Sequence, residues 1–537
     1  MDYERAAQDP AAAQAAFLDR LMQRHADTAY GRQHGFGGIS SPEAYAERVP
    51  LMTPADMQVW VQRAMAGERR VLTPEDPVFY GMTAGTSGQP KFVPVTPTYR
   101  TEFQRTVSVS FWHVYRRFPE AFRSRFLYFV GKRHLMTAPD GLEAGNISGY
   151  NYKEMSPVIR RLYAWPQELF DVVDMATRDY LALYLAIVGD ISLITGIFPL
   201  SIVTLLRRFE AVAEQLARDL ERGRLDGVSG LSEADLRPFV AGLQPRPDLA
   251  RRVREAMRRP EEEQVSVLWP QLRLAYCWIA GGASLYVPEL RRRLGPQVAV
   301  RDAIYSATEA WCNVAMGDDE TGGPLALTSA YYEFIEERDY QAGSTRTVPL
   351  HALEDGGRYL IVLSASSGAF RYVLGDVIEV CGAYHRTPRV RFVRKFGVTC
   401  NMAGEQLDEG YVTTAVGQEL ERSAWQPTWF CFVGNPEGDV PGYDLYVEPG
   451  PGPAPAGPTD WQAFADRVDE RLQAANHMYR IRRLNGQLRP LAAKPVPAGC
   501  YARWKVRRMA EGAGDAQLKT VHLVARPNDL PGEFSRG

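Results

Sequence analysis

At 537 residues the chain is too long for one ordinary core and points to two or more domains. A 45% hydrophobic share, with charges balanced to −2, describes a soluble globular protein and supplies no field to draw in nucleic acid or an anionic membrane. Six cysteines without a Cys-x-x-Cys pair and eight histidines without His-x-x-x-His argue against a zinc site, a disulfide scaffold or a transition-metal centre, and fit a reducing cytoplasm.

The first residues, MDYERAAQDP, lack an apolar segment and are not expected to form a signal peptide. Phe17, Leu18, Leu21 and Met22 recur at helical spacing and predict an amphipathic helix over 11–26; another is expected over 54–66. Strand-like Val78-Phe79-Tyr80 precedes a polar, glycine-bearing loop, and a second strand runs through Phe92, Val93 and Val95. Pro97 is placed to open a helix through Phe103, Val107 and Phe111. Phe126 to Val130 and Ile191 to Thr195 are short apolar runs of the buried-strand type. The most apolar stretch, Tyr180 to Leu206, is broken by Asp190, Gly196 and Pro199, so it predicts helix, strand and helix rather than a membrane span. Residues 232–264 form a polar helical region of surface character.

Further strands are expected over Leu272–Tyr276, Val298–Ile304, 331–336 and 359–363, then from Phe370 to Asp376, onward to Val380, and from Arg389 to Val393. Alternating strands and helices predict an α/β protein whose sheet is covered on both faces. After Phe396-Gly397 the character changes. A helix over 409–420, a hairpin of Trp429–Val433 with Tyr443–Val447, a Pro/Gly/Ala loop over 449–458 and a helix through Trp461, Phe464, Val468 and Leu472 predict a small α+β domain. The expected division is 1–394 and 395–537.

The stretch from Gly81 to Thr96, GMTAGTSGQPKFVPVT, carries the strongest chemical signal. Thr83, Thr86 and Ser87 supply hydroxyls, while Gly85 and Gly88 let the backbone approach a guest closely. Successive exposed N–H groups there would favour an anion such as a phosphate chain, although the spacing is not that of a Walker loop. Taken alone, it equally describes a polar hairpin turn. Three features downstream share an order with it. Tyr305-Ser306-Ala307-Thr308-Glu309 ends a predicted strand and offers an aromatic face for a purine and a carboxylate for a hard cation. Phe370 to Asp376 places a carboxylate behind Gly375, where it could accept from ribose hydroxyls. Gln517-Leu518-Lys519 puts a lysine near the C-terminus. Singly, each has an ordinary structural reading: core tyrosine, helix-end charge, turn cap, exposed lysine.

Together and in this order the four resemble the adenylate-forming superfamily of acyl-CoA synthetases, luciferases and nonribosomal-peptide adenylation domains. The segments Asp27 to Arg32, Val49-Pro50-Leu51, Ala66-Gly67-Glu68, Leu72-Thr73-Pro74, Gly281-Gly282 with Leu285-Tyr286, Tyr372 to Gly382, Pro388 to Val393 and Gly404 to Leu407 narrow the likeness. The chain resembles the Gretchen Hagen auxin-responsive family, in its bacterial branch, over nearly its whole length. That family implies a large adenylate-forming domain of sheets covered by helices, followed by a small mobile α+β domain. It also implies an acyl acid amido synthetase, a cytoplasmic ligase that uses ATP and Mg²⁺ to join a carboxylic acid to an amine, often an amino acid.

Carried over by position, the resemblance implies that Thr83, Gly85, Thr86, Ser87 and Gly88 wrap the triphosphate, and that Tyr305, with Ser306 and Thr308 beside it, stacks on adenine. Glu309 would help hold Mg²⁺ and Asp376 would bind the ribose hydroxyls. Lys519 would be the adenylation lysine, with Lys505 as its competitor. Arg391 or Arg394 would serve the ribose or the hinge. Ala84, where many relatives have serine, Gln406, where many have lysine, and Thr520-Val521-His522, without the usual Pro-Arg pair, depart from the pattern. Two rival readings stay open: an acyl-CoA ligase, and a non-catalytic nucleotide-binding relative. The acyl acid and the amine are not legible; Phe103, Phe111 and Trp112 would suit an aromatic or fatty acid and serve equally well as core.

Overall fold

A computed structural model describes residues 2–83, 91–172, 174–196, 199–228, 230–240, 243–316, 321–396, 399–400, 402–403, 405, 407–423, 425–437, 440–450, 452–484, 486–510, 520–527 and 530–535. The chain folds as two compact units, 1–392 and 393–537.

The first unit is organised around a parallel sheet in the order Arg125–Tyr128, Ile191–Gly196, Leu274–Cys277, Ala299–Asp302. Sequential strands in one parallel sheet need helical crossovers, and the helices Met175–Gly189 and Pro199–Arg222 supply them, so these strands read as short apolar runs instead of alternating ones. Helix Pro247–Ala256 corrects the surface reading of 232–264. Its arginines reach solvent, but Leu249, Ala250, Val253 and Ala256 are buried. They share one core with Ile191, Ile194 and Ala275 of the sheet, and the helix packs against the long Pro199–Arg222 helix.

The opposite face of that sheet carries the second core of the unit, which extends into a six-stranded antiparallel sheet ordered 348–349, 331–336, 358–364, 372–384, 387–395, 323–324. The two strands expected on either side of Asp376 are one, Tyr372–Tyr384. Gly375 adopts φ +73°, a left-handed conformation that bends the strand without ending its pairing to Arg358–Ser364. A third, smaller sheet joins the hairpin Phe79–Thr83 and Lys91–Val95 to Glu143–Gly145, parallel to the first of these, and to Met136–Thr137. Immediately after the hairpin, the Thr96 hydroxyl accepts from Tyr99 N and Pro97 fills the first turn, which starts helix Pro97–Arg117.

The second unit holds a four-stranded sheet in the order Ala492–Pro495, Gly442–Pro449, Pro427–Asn435, Leu523–Val524. Helices Glu409–Leu420 and Pro458–Ala475 pack on each other, burying Val412, Val416, Phe464, Val468 and Leu472. No disulfide joins the six cysteines. Among the described residues, no helix is long and apolar enough to cross a membrane.

Candidate active site

The segment 305–309 leaves the parallel sheet just past Ala299–Asp302 and is held from three sides. Asn313 Oδ1 accepts from Tyr305 N at 2.8 Å, and Tyr305 O accepts from Cys312 N at 3.0 Å. Helix Pro97–Arg117 lies along the segment: the Tyr99 hydroxyl donates to Thr308 O at 2.7 Å, Phe103 packs on Trp311, and the Ser110 hydroxyl donates to Ala315 O. From the third side, Ser367 Oγ donates to Glu309 O at 2.9 Å.

Two carboxylates are brought together with this segment, and both are buried. Glu309 Oε1 accepts from the Tyr372 hydroxyl at 2.8 Å, and Asp376 Oδ2 accepts from the Tyr305 hydroxyl at 2.5 Å. Burial first, and the neighbouring carboxylates second, push both phenols well above their ordinary range, so each remains a donor at any physiological pH. The Tyr305 ring is flanked by Trp278 at 5.9 Å and Phe392 at 5.6 Å and is almost wholly buried. Ser306 is exposed, and Thr308 is half-buried.

The glycine-bearing hairpin reaches the same place. A Cβ on Gly81 would lie 2.6 Å from Thr308 Cγ2, so the strand leading into the loop passes directly against the 305–309 segment. The backbone of Thr83 pairs with Lys91 and closes the described hairpin. Gly85, Thr86, Ser87 and Gly88 lie outside the described residues, as does Lys519. Lys505 is on helix Cys500–Ala510 of the second unit. Arg391 is exposed and paired with Glu379, whereas Arg394 is buried with its Nε 3.0 Å from Asp408 Oδ2. Phe103 and Phe111 are partly buried against the core, but Trp112 is 57% exposed beside Tyr115, which rules out a core role for it.

Among the described residues, no three His, Cys, Asp or Glu side chains converge as a metal cage. Mg²⁺ does not call for one, since it is commonly bound by one or two carboxylates together with water and substrate phosphates. Glu309 provides such a carboxylate at the edge of the segment, where Tyr372 engages its Oε1.

Sequence reading did not single out Tyr99, Ser367 or Asn313, whose polar atoms serve backbone groups elsewhere in the chain. Tyr372 lies within the stretch from Phe370 to Asp376 and has a signal of its own: like Tyr305, it precedes an acidic residue by four positions.

Models of the GH3 family match the chain in three successive parts: the N-terminal domain over 1–299, the central domain over 323–395 and the C-terminal domain over 411–528. The chain belongs to the GH3 family. It is 25% identical over 540 residues to indole-3-acetic acid-amido synthetase GH3.8 of Oryza sativa subsp. indica, covering 96% of this chain and 88% of that one. It is also 25% identical over 442 residues to jasmonoyl–L-amino acid synthetase JAR6 of Nicotiana attenuata, covering 78% and 75%. The solved GH3.15 acyl acid amido synthetase superposes with a TM-score of 0.84 at 21% identity, covering 99% of this chain and 95% of that one. A 2-hydroxyisobutyryl-CoA ligase in the postadenylation state shares the fold more distantly, with a TM-score of 0.54 at 13% identity and coverage of 98% and 92%. The fold of this GH3 protein is thus that of adenylate-forming ligases.

Proposed function

We propose that this GH3 protein is an ATP-dependent acyl acid amido synthetase that activates a carboxylic acid as its adenylate and passes the acyl group to an amine, in particular that of an amino acid. The observation that carries this reading is the convergence of Gly81, Tyr305, Glu309 and Asp376 in one place, within a chain matched along its length by GH3 domains. In the first half-reaction an oxygen of the acid attacks the α-phosphorus of ATP and the bond to the β-phosphate breaks, releasing pyrophosphate. In the second, the amine attacks the acyl carbon, AMP leaves with the electron pair of the carbon–oxygen bond, and the ammonium proton goes to solvent.

Each group has a place in that chemistry. Asp376 binds the ribose hydroxyls, Tyr305 holds that carboxylate through its hydroxyl on the adenine side, and the loop from Thr83 to Gly88 supports the triphosphate. Lys519 adds positive charge where the acid's oxygen meets phosphorus. Mg²⁺, when bound at Glu309, offsets phosphate charge as a Lewis acid. Transfer to the amine depends chiefly on positioning.

The test is acid-dependent exchange of pyrophosphate into ATP over a panel of acids, followed by mass spectrometry of products formed with mixed amino acids and with CoA. An acyl–amino acid product is expected. A thioester in its place would reassign the protein to the CoA ligases, and failure of every acid to support exchange would remove the enzyme reading. Lys519→Ala is expected to suppress exchange by orders of magnitude while sparing transfer from a preformed acyl-adenylate.

A further inference from the structure

The two segments that carry the acidic residues have the same layout, a tyrosine followed four positions later by a carboxylate: Tyr305 to Glu309 and Tyr372 to Asp376. Neither tyrosine serves its own acid. The Tyr305 hydroxyl donates to Asp376 Oδ2, and the Tyr372 hydroxyl donates to Glu309 Oε1. We infer that this reciprocal exchange is a positioning brace, in which each segment fixes the acid of the other so that the ribose-binding and metal-binding carboxylates keep one mutual geometry. The inference rests on the roles given above to Glu309 and Asp376.

Several features favour a positioning role over packing alone. Both bonds join a neutral donor to a carboxylate inside the protein, where such bonds are short and stronger than those between neutral groups. Each engages a single named oxygen of its acid. A further tie runs to the first segment from the turn just before the second, from Ser367 Oγ to Glu309 O, and that turn, between Ser364 and Tyr372, is itself closed by Ser364 Oγ accepting from Arg371 N. The 305–309 segment is also fixed from behind by Tyr99 on Thr308 O. Glu309 has three torsions between backbone and carboxylate, and the Tyr372 hydroxyl anchors the far end of that side chain.

The brace makes a crossed prediction. Tyr372→Phe, in the ribose segment, should weaken the metal arm: the Mn²⁺ affinity of the protein–ATP complex, read by electron paramagnetic resonance, is expected to fall about tenfold or more, as for other groups that orient a metal ligand. Tyr305→Phe, in the metal segment, keeps its ring and should loosen the ribose arm: the preference for ATP over 2′-deoxyATP, read by calorimetry, is expected to fall about tenfold. Each variant should leave the other quantity near wild type. Equal losses of both quantities in both variants, or no change in either, would overturn the brace.

Glu309→Ala and Asp376→Ala separate this inference from the reading beneath it. If Glu309→Ala leaves Mn²⁺ affinity intact, or Asp376→Ala leaves sugar preference intact, the nucleotide-site reading falls. If those two variants fail as expected while the phenylalanine variants behave as wild type, only the brace falls. Should Tyr372→Phe not fold, Ser367→Ala reads the same arm, and an unchanged Mn²⁺ affinity in it would count against the brace.

Discussion

Arg371 and Glu333 face each other inside the first unit, with Arg371 Nε 3.0 Å from Glu333 Oε2 and Nη2 3.0 Å from Oε1, and both residues nearly closed to solvent. The remaining guanidinium bonds go to Ala46 O at 2.6 Å, Val49 O at 2.8 Å and Thr347 Oγ1 at 3.0 Å. Arg371 itself sits at φ +44°, a conformation that a non-glycine residue keeps only when its surroundings determine it, and the next residue is Tyr372.

Removing one partner of this pair should therefore be far more costly than losing a surface ion pair. Glu333→Ala strands the guanidinium in the interior, and the loss of stability is expected to be about 3–5 kcal/mol. Arg371→Lys should not rescue the site, because an ammonium cannot reproduce the fork that serves a carboxylate and two carbonyls together. Chemical denaturation of both variants checks this; a loss below about 1 kcal/mol in Glu333→Ala would show that the pair is not structural.

Arg371 also marks how far the sequence could be read. The apolar runs at 126–128 and 191–196 announce buried parallel strands because both faces of those strands are covered, and Pro97 behind Thr96 announces a helix start through local chemistry alone. Glu143–Gly145 has no such signature: three residues become a strand because Tyr80 and Gly81 pair with them on one side and Met136–Thr137 on the other. Helix Pro247–Ala256 hid its buried face behind arginines. The site was legible as separate motifs, but the contacts between them were not, since the Tyr305–Asp376 bond spans 71 positions and the Tyr99–Thr308 bond 209.

Two histidines should shape the acid limb of stability. His25 is enclosed in the first unit, its Nδ1 2.8 Å from Leu21 O, and His522 in the second, its Nδ1 2.9 Å from Phe430 O with its ring stacked on Phe430. Burial pushes both imidazoles down to about 4 from an ordinary 6.5. Because the folded state disfavours their protonation, their contribution is complete above pH 6.5 and is lost as pH falls toward 4, by up to about 3 kcal/mol each. Glu102 acts in the opposite sense. Burial raises its carboxyl to about 7, so its contribution is complete below pH 4.5 and is lost as pH rises through 7. Denaturation of the wild type and His522→Phe from about pH 8 to 4 checks the sign: the wild type should lose stability relative to the variant only below about pH 6.5, and a constant difference would show that His522 does not titrate on unfolding.

The contact between Gly81 and Thr308 allows a sharper test, because the obstructing atom can be removed. A side chain at position 81 would place its first carbon 2.6 Å from Thr308 Cγ2, well inside contact distance. Thr308 cannot easily yield, since a β-branched side chain is restricted at χ1 and its backbone oxygen is already engaged by Tyr99. Gly81→Ala should thus displace the 305–309 segment or the strand leading into the loop, at a cost of about 1–3 kcal/mol. If both flank one nucleotide, the strain should appear as weaker ATP binding. Thr308→Ser deletes Cγ2 but keeps the hydroxyl and the backbone oxygen, so the double variant Gly81→Ala/Thr308→Ser should recover most of the lost stability and affinity. Calorimetry with ATP and denaturation of the two single variants and the double variant decide the matter. Additive losses in the double variant would mean that the two residues do not meet, and the hairpin and the acidic segment would no longer belong to one site.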